Sequence, residues 1–108
     1  MKKTILLISF LLAGGVLSVG AADAKTNWEK SCTKCHGPDG KGDTKLGKRS
    51  EVKDLASADY QATFTDDKAF KSIKEGLKDG DKIKMKPAEG VNDDEIKALV
   101  AYVRTLKK

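Results

Sequence analysis

Both cysteines and the only histidine of this 108-residue chain stand together, in Cys32-Thr33-Lys34-Cys35-His36. On a helix, positions i, i+3 and i+4 share a face, so two thiols and an imidazole would project toward one neighbour. That set suits covalent haem attachment, in which the thiols add to the vinyl groups of the porphyrin and the adjacent imidazole ligates its iron as the proximal ligand. Other chemistries fit less well. A disulfide across two intervening residues would remove little unfolded-state entropy and would leave His36 without a role. A thioredoxin-like pair needs a preceding strand in a βαβ context, which the flanks Asn27-Trp28-Glu29-Lys30-Ser31 and Gly37-Pro38-Asp39-Gly40 do not supply. A zinc site wants four ligands, and two cysteines and one histidine would need a carboxylate to complete it.

If His36 holds one side of the iron, the candidate for the other is Met85. The chain has two methionines, Met1 and Met85, and only the second lies in the body of the sequence. It sits in a polar, breaker-rich stretch beside Lys84, Lys86 and Pro87 rather than on a helical apolar stripe, so service as core filler explains it poorly. A thioether on iron favours the reduced state and raises the potential.

The elements that must position these groups begin after a leader. Met1-Lys2-Lys3 is a charged start, an apolar run follows from Ile5 to Val19, and Ala22-Asp23-Ala24 forms an A-x-A cleavage pattern, with Gly20-Ala21-Ala22 as a second possibility. The pattern is that of a secretory signal peptide over residues 1–24. The apolar run falls short of the ~20 residues of a spanning helix, so no permanent membrane anchor is expected. Export would place the protein in the periplasm or another oxidising compartment, where haem addition protects a vicinal thiol pair from oxidation.

Residues 25–108 then form one domain of 84 residues with 19 basic and 15 acidic side chains. A domain this small usually needs a staple or cofactor to complete its core. Its aromatic set is thin, namely Trp28, Tyr60, Phe64, Phe70 and Tyr102, and a porphyrin would supply the missing apolar mass. Thr26 or Asn27 is expected to cap a first helix running from Trp28 to Cys35 and stopped by Gly37-Pro38. Residues 37–56, rich in glycine and lysine, read as a long loop. Ser57 caps a short helix carrying Tyr60 and Phe64, Thr65 caps a second over Ala69, Phe70 and Ile73, and Gly76 ends it. Asn92 with Glu95 makes a capping-box start for a last helix whose stripe is Ile96, Leu99, Val100, Val103 and Leu106. No segment shows strand alternation and no repeat is visible.

With these residues in place, the mature chain resembles a small monohaem class I cytochrome c of the bacterial type. The similarity covers nearly all of it: Cys-x-x-Cys-His-Gly, the Gly-Lys-Gly loop, the late methionine and the ending Asp93-Asp94-Glu95-Ile96-Lys97-Ala98-Leu99-Val100-Ala101-Tyr102-Val103-Arg104. The family crosses its first and last helices through an aromatic four residues before the first cysteine and a Leu-x-x-aromatic, here Trp28, Leu99 and Tyr102. The resemblance implies an all-α fold, about four short helices around one covalently bound haem c. It also implies thioethers at Cys32 and Cys35, with iron held by His36 and Met85.

Three departures accompany it. The small residue upstream of the aromatic is Ala24, at the cleavage pattern. No proline lies between Pro38 and Pro87 to orient the proximal histidine through its preceding carbonyl, so a backbone carbonyl in residues 39–55 is expected to accept the His36 Nδ1 proton. The usual Met-Pro step is Met85-Lys86-Pro87.

The function this implies is electron transfer by a monomer that transforms no substrate. The alternative is a small haem enzyme or gas sensor with an open distal site. The partners are expected to be redox proteins with an acidic docking face, because Lys41, Lys45, Lys48 and Arg49 follow the haem motif while Lys78, Lys82, Lys84 and Lys86 surround the methionine. No nucleic-acid partner is expected.

Overall fold

A computed structural model describes residues 21–108, and the proposed leader lies, except for its last four residues, outside the described part. Among the described residues six helices run in chain order: α1 Ala21–Ser31, α2 Thr33–His36, α3 Lys45–Ser50, α4 Ala58–Gln61, α5 Asp66–Glu75 and α6 Asp93–Thr105. A hairpin of β1 Leu77–Asp79 and β2 Lys82–Met85 lies between α5 and α6. No helix among the described residues is long and apolar enough to cross a membrane.

The core forms where α6 packs on both α1 and α5. Ile96, Leu99, Val100 and Val103 are the buried stripe of α6, at the 3.6-residue spacing expected of an amphipathic helix. Trp28 of α1 and Ile73 of α5 complete the buried cluster, and Val91 and Tyr102 pack against it. Trp28 lies tilted on Tyr102 at 5.6 Å between ring centroids, so the expected aromatic contact between first and last helices is present.

Local chemistry sets the helix starts. Thr65, Ser57 and Asn92 each accept a backbone hydrogen bond at the expected N-cap, and Asn92 and Glu95 satisfy one another's backbone N–H groups in a full capping box. Arg104 ties α6 to the turn before α5: its guanidinium donates to the Gln61 and Phe64 carbonyls and pairs with Asp66 at 2.8 Å. Gln61 is buried, and its amide donates to the carbonyls of Leu55 at 2.7 Å and Val103 at 2.9 Å.

The structure departs from the sequence expectation in several places, one being α4, which ends at Gln61 and does not carry Phe64. α1 starts at Ala21 rather than after Thr26 or Asn27, and Ala24 is only 2% exposed. Ala21, Ala22 and Ala24 are strong helix formers, and nothing at Thr26 breaks the ladder. The stretch 37–56 contains α3, capped by Thr44, whose side chain accepts from Gly47 N. The stretch 77–85 forms the hairpin, turned by the two-residue loop Gly80-Asp81. Gly80 has φ +59 while Asp81 stays at negative φ, the pattern of a II′ turn whose twist matches the strands.

Candidate functional site

The motif cysteines and histidine sit where α1 passes into α2. Cys32 is the one residue between them, with φ −116°, and the ladder continues through it: Cys32 N donates to Trp28 O and His36 N to Cys32 O, both at 2.9 Å. Gly37, at φ +77, ends the turn where a side chain would be strained. The carbonyls left free at this helix end find partners in the following loop. Thr44 Oγ1 donates to Cys35 O at 2.7 Å and Gly42 N donates to His36 O at 2.7 Å.

Gly47 presses α3 against the same helix end. A Cβ there would overlap Cys35 O and come within 2.6 Å of Gly42 O. The loop and α3 together clamp the motif, a role that Thr44-Lys45-Leu46-Gly47 signals in sequence only by a cap residue three before a glycine.

Cys32, His36 and Met85 line one apolar cavity of about 280 Å³, walled by Leu55, Phe64, Ile73 and Leu99. Cys35 is half-buried beside it and is not among the lining residues. Both cysteines are free thiols. Burial, with the Cys35 thiol as a lesser cause, pushes the Cys32 thiol up to about 11. Burial also holds the His36 imidazole below its ordinary range, which favours the neutral form that ligates a metal. The ring lies 5.7 Å from Trp28.

One expectation fails at this point. His36 Nδ1 is buried with no hydrogen-bond acceptor, and Trp28 Nε1 is buried likewise. Carbonyls of residues 39–55 engage their own segment instead: Gly40 O accepts from Leu55 N, Gly47 O from Val52 N and Lys48 O from Glu51 N.

Met85 reaches the cavity from the end of β2, paired with Leu77 across a one-residue register shift in the hairpin. Gly76 makes this possible: its φ is +79 and a Cβ would stand 2.6 Å from Met85 O and 2.9 Å from Pro87 Cδ. Beyond the methionine, Ala88 N donates to Ile73 O at 2.9 Å and returns the chain to α5. Met85-Lys86-Pro87 thus keeps the methionine half-buried at the cavity with Pro87 against Gly76.

A neutral imidazole and a thioether at one apolar cavity, beside two free thiols, fit a haem iron and its vinyl groups and fit a bare hydrated ion poorly. Among the described residues no group of three or more histidine, cysteine or carboxylate side chains could hold a metal ion.

A helical domain closed around such a cavity defines a small haem protein of the class I type. The family model for Cytochrome c matches residues 21–107, and the chain belongs to that family. It is therefore a c-type haem electron-transfer protein, with covalently bound haem c as its cofactor. The solved KustC0563 c-type cytochrome is 34% identical to it with a TM-score of 0.69, the match covering 79% of this chain and 98% of that one. A tyrosine-to-phenylalanine variant of that protein matches at 34% identity and a TM-score of 0.67, over 79% of this chain and 99% of the other. No curated protein matches significantly.

Proposed function

We propose that the protein is a one-electron carrier with haem attached through Cys32 and Cys35 and iron held by His36 and Met85. The observation that carries this is the meeting of Cys32, His36 and Met85, from two distant parts of the chain, at one apolar cavity. Haem c bound there supplies exchange of one electron between ferrous and ferric iron. The chain's own residues do the rest. The thiols fix the group, the clamp of Thr44 and Gly47 fixes the motif helix, and the hairpin keeps the thioether at the iron. Leu55, Phe64 and Leu99 exclude water.

The N-terminal leader serves, in this reading, as a signal for export to the periplasm. The burial of Ala24 favours cleavage at the upstream pattern, Gly20-Ala21-Ala22, so that α1 keeps this contact. Partners are acidic redox proteins. Lys41, Lys45, Arg49, Lys78, Lys82 and Lys86 are exposed, whereas Lys48 and Lys84 are engaged with Asp43 and Glu51.

The test is the ferrous spectrum of the haem-loaded protein with and without carbon monoxide. A carrier with Met85 bound resists the gas, and Met85→Ala admits it. Ready uptake by the parent protein would favour an open-site enzyme or sensor instead.

A further inference from the structure

The hairpin that brings Met85 to the cavity is anchored on one side by α5, through Gly76 and the Ala88–Ile73 hydrogen bond. Its other side meets the clamp. Lys84 Nζ donates to Glu51 Oε2 at 2.9 Å, and the Lys84 side chain is 23% exposed. Among the described residues no other hydrogen bond or ion pair joins residues 37–56 to the hairpin.

Both partners are placed by the fold. Lys84 directly precedes Met85 in β2 and is the extra residue where the hairpin register shifts, so it has no partner across the ladder while Met85 pairs with Leu77. Glu51 caps α3, and its φ of +56 is the left-handed conformation that a non-glycine residue adopts only at a cost. α3 is in turn fixed to the motif helix through Thr44 and Gly47. The ion pair therefore connects the body that carries Cys35 and His36 with the strand that carries Met85.

We propose that Glu51 and Lys84 form a clasp that holds the Met85 strand closed and so sets how readily the distal position accepts an outside ligand. The inference rests on Met85 as the distal ligand and adds two positioning residues that are not among those lining the cavity. The clasp also removes Lys84 from the docking surface, since its charge is answered within the molecule.

Ligand exchange at the distal site requires the Met85 strand to move away. Opening that separates β2 from α3 must break the ion pair, so the pair resists exchange by the amount its charges attract in water. For an exposed pair this is a small effect, about two- to fourfold in an equilibrium constant at low salt. Screening by salt erodes it.

Equilibrium titration of the ferric haem-loaded protein with imidazole tests the clasp in the parent, Glu51→Gln, Lys84→Gln and the double variant. Each single change is expected to raise apparent imidazole affinity by about two- to fourfold at low salt, and the double change by no more than either alone. The difference should shrink at high salt. In a Met85→Ala background, where no thioether competes, Glu51→Gln should leave imidazole affinity unchanged. A merely structural contribution would shift the thermal midpoint without following this pattern. Equal affinities of parent and Glu51→Gln at low salt would overturn the clasp, as would strictly additive effects or an effect that persists without Met85. Met85→Ala binding imidazole no more tightly than the parent would instead remove the ligand assignment beneath it.

Discussion

Adding one methyl group at Gly47 should separate two elements that the site needs together. In a helix, glycine to alanine ordinarily stabilises by about 0.5–1 kcal/mol, because alanine loses less backbone freedom on folding. Gly47 carries no unusual φ, so backbone strain does not complicate the exchange. What opposes it is space. The new Cβ would overlap Cys35 O and stand 2.6 Å from Gly42 O and 2.8 Å from Thr44 Oγ1, all fixed by the clamp. Relief requires α3 to back away from α2 by about 1 Å, an overpacking cost of roughly 1–3 kcal/mol. Losing the Thr44–Cys35 hydrogen bond adds about 1 kcal/mol. The net expectation for Gly47→Ala is destabilisation by about 2 kcal/mol, read as a lower denaturant midpoint of the haem-loaded protein at unchanged slope. Gly80→Ala is the control, since it meets nothing within 4 Å and is burdened only by its φ of +59. A Gly47→Ala protein as stable as the parent, or more stable, would refute the clamp.

Three further perturbations probe other parts of the molecule. Gln61→Leu leaves the Leu55 carbonyl without its donor, while the Val103 carbonyl keeps only Leu106 N, and should cost about 2 kcal/mol by denaturant titration, with little change in the visible spectrum. Electron-transfer rates with a strongly acidic redox partner should fall steeply as salt is added, because screening shortens the reach of the lysine field to about 8 Å at physiological ionic strength; a flat series by stopped flow would remove the basic face as the docking surface. N-terminal sequencing of the exported protein should find Ala24 retained, since α1 buries it, whereas a start at Lys25 would show that the core closes without it.

What could be read from sequence was what local chemistry dictates. Cys32, Cys35 and His36 declare themselves by type and spacing, and Ser57, Thr65 and Asn92 announce their helices because a cap is a hydrogen bond between neighbours. The α6 stripe was legible because Ile96, Leu99, Val100 and Val103 all face one core. α3 was not, because Lys45–Ser50 has no apolar period and is held by Gly47 against Cys35, a contact made in space. The hairpin hid for a related reason. Leu77 and Ile83 are exposed, so burial imposes no alternation on its strands, and Gly80-Asp81 was the one signal present. The start of α1 was misplaced because Ala22-Asp23-Ala24 reads equally as cleavage pattern and as helix. The missing acceptor for His36 Nδ1 had no sequence signature, since it depends on where the carbonyls of residues 39–55 turn.

Carrier chemistry, resistance to outside ligands and the clasp all depend on the Met85 thioether sitting on the iron. The mature chain has no other methionine once Met1 is removed with the leader, so labelling the methionine methyl with carbon-13 reports on this residue alone. In the reduced, haem-loaded protein a methyl held over the porphyrin lies in its ring current. One labelled methyl resonance should therefore be shifted far upfield and be abolished in Met85→Ala. A labelled methyl at the ordinary position of a free methionine would contradict ligation by Met85.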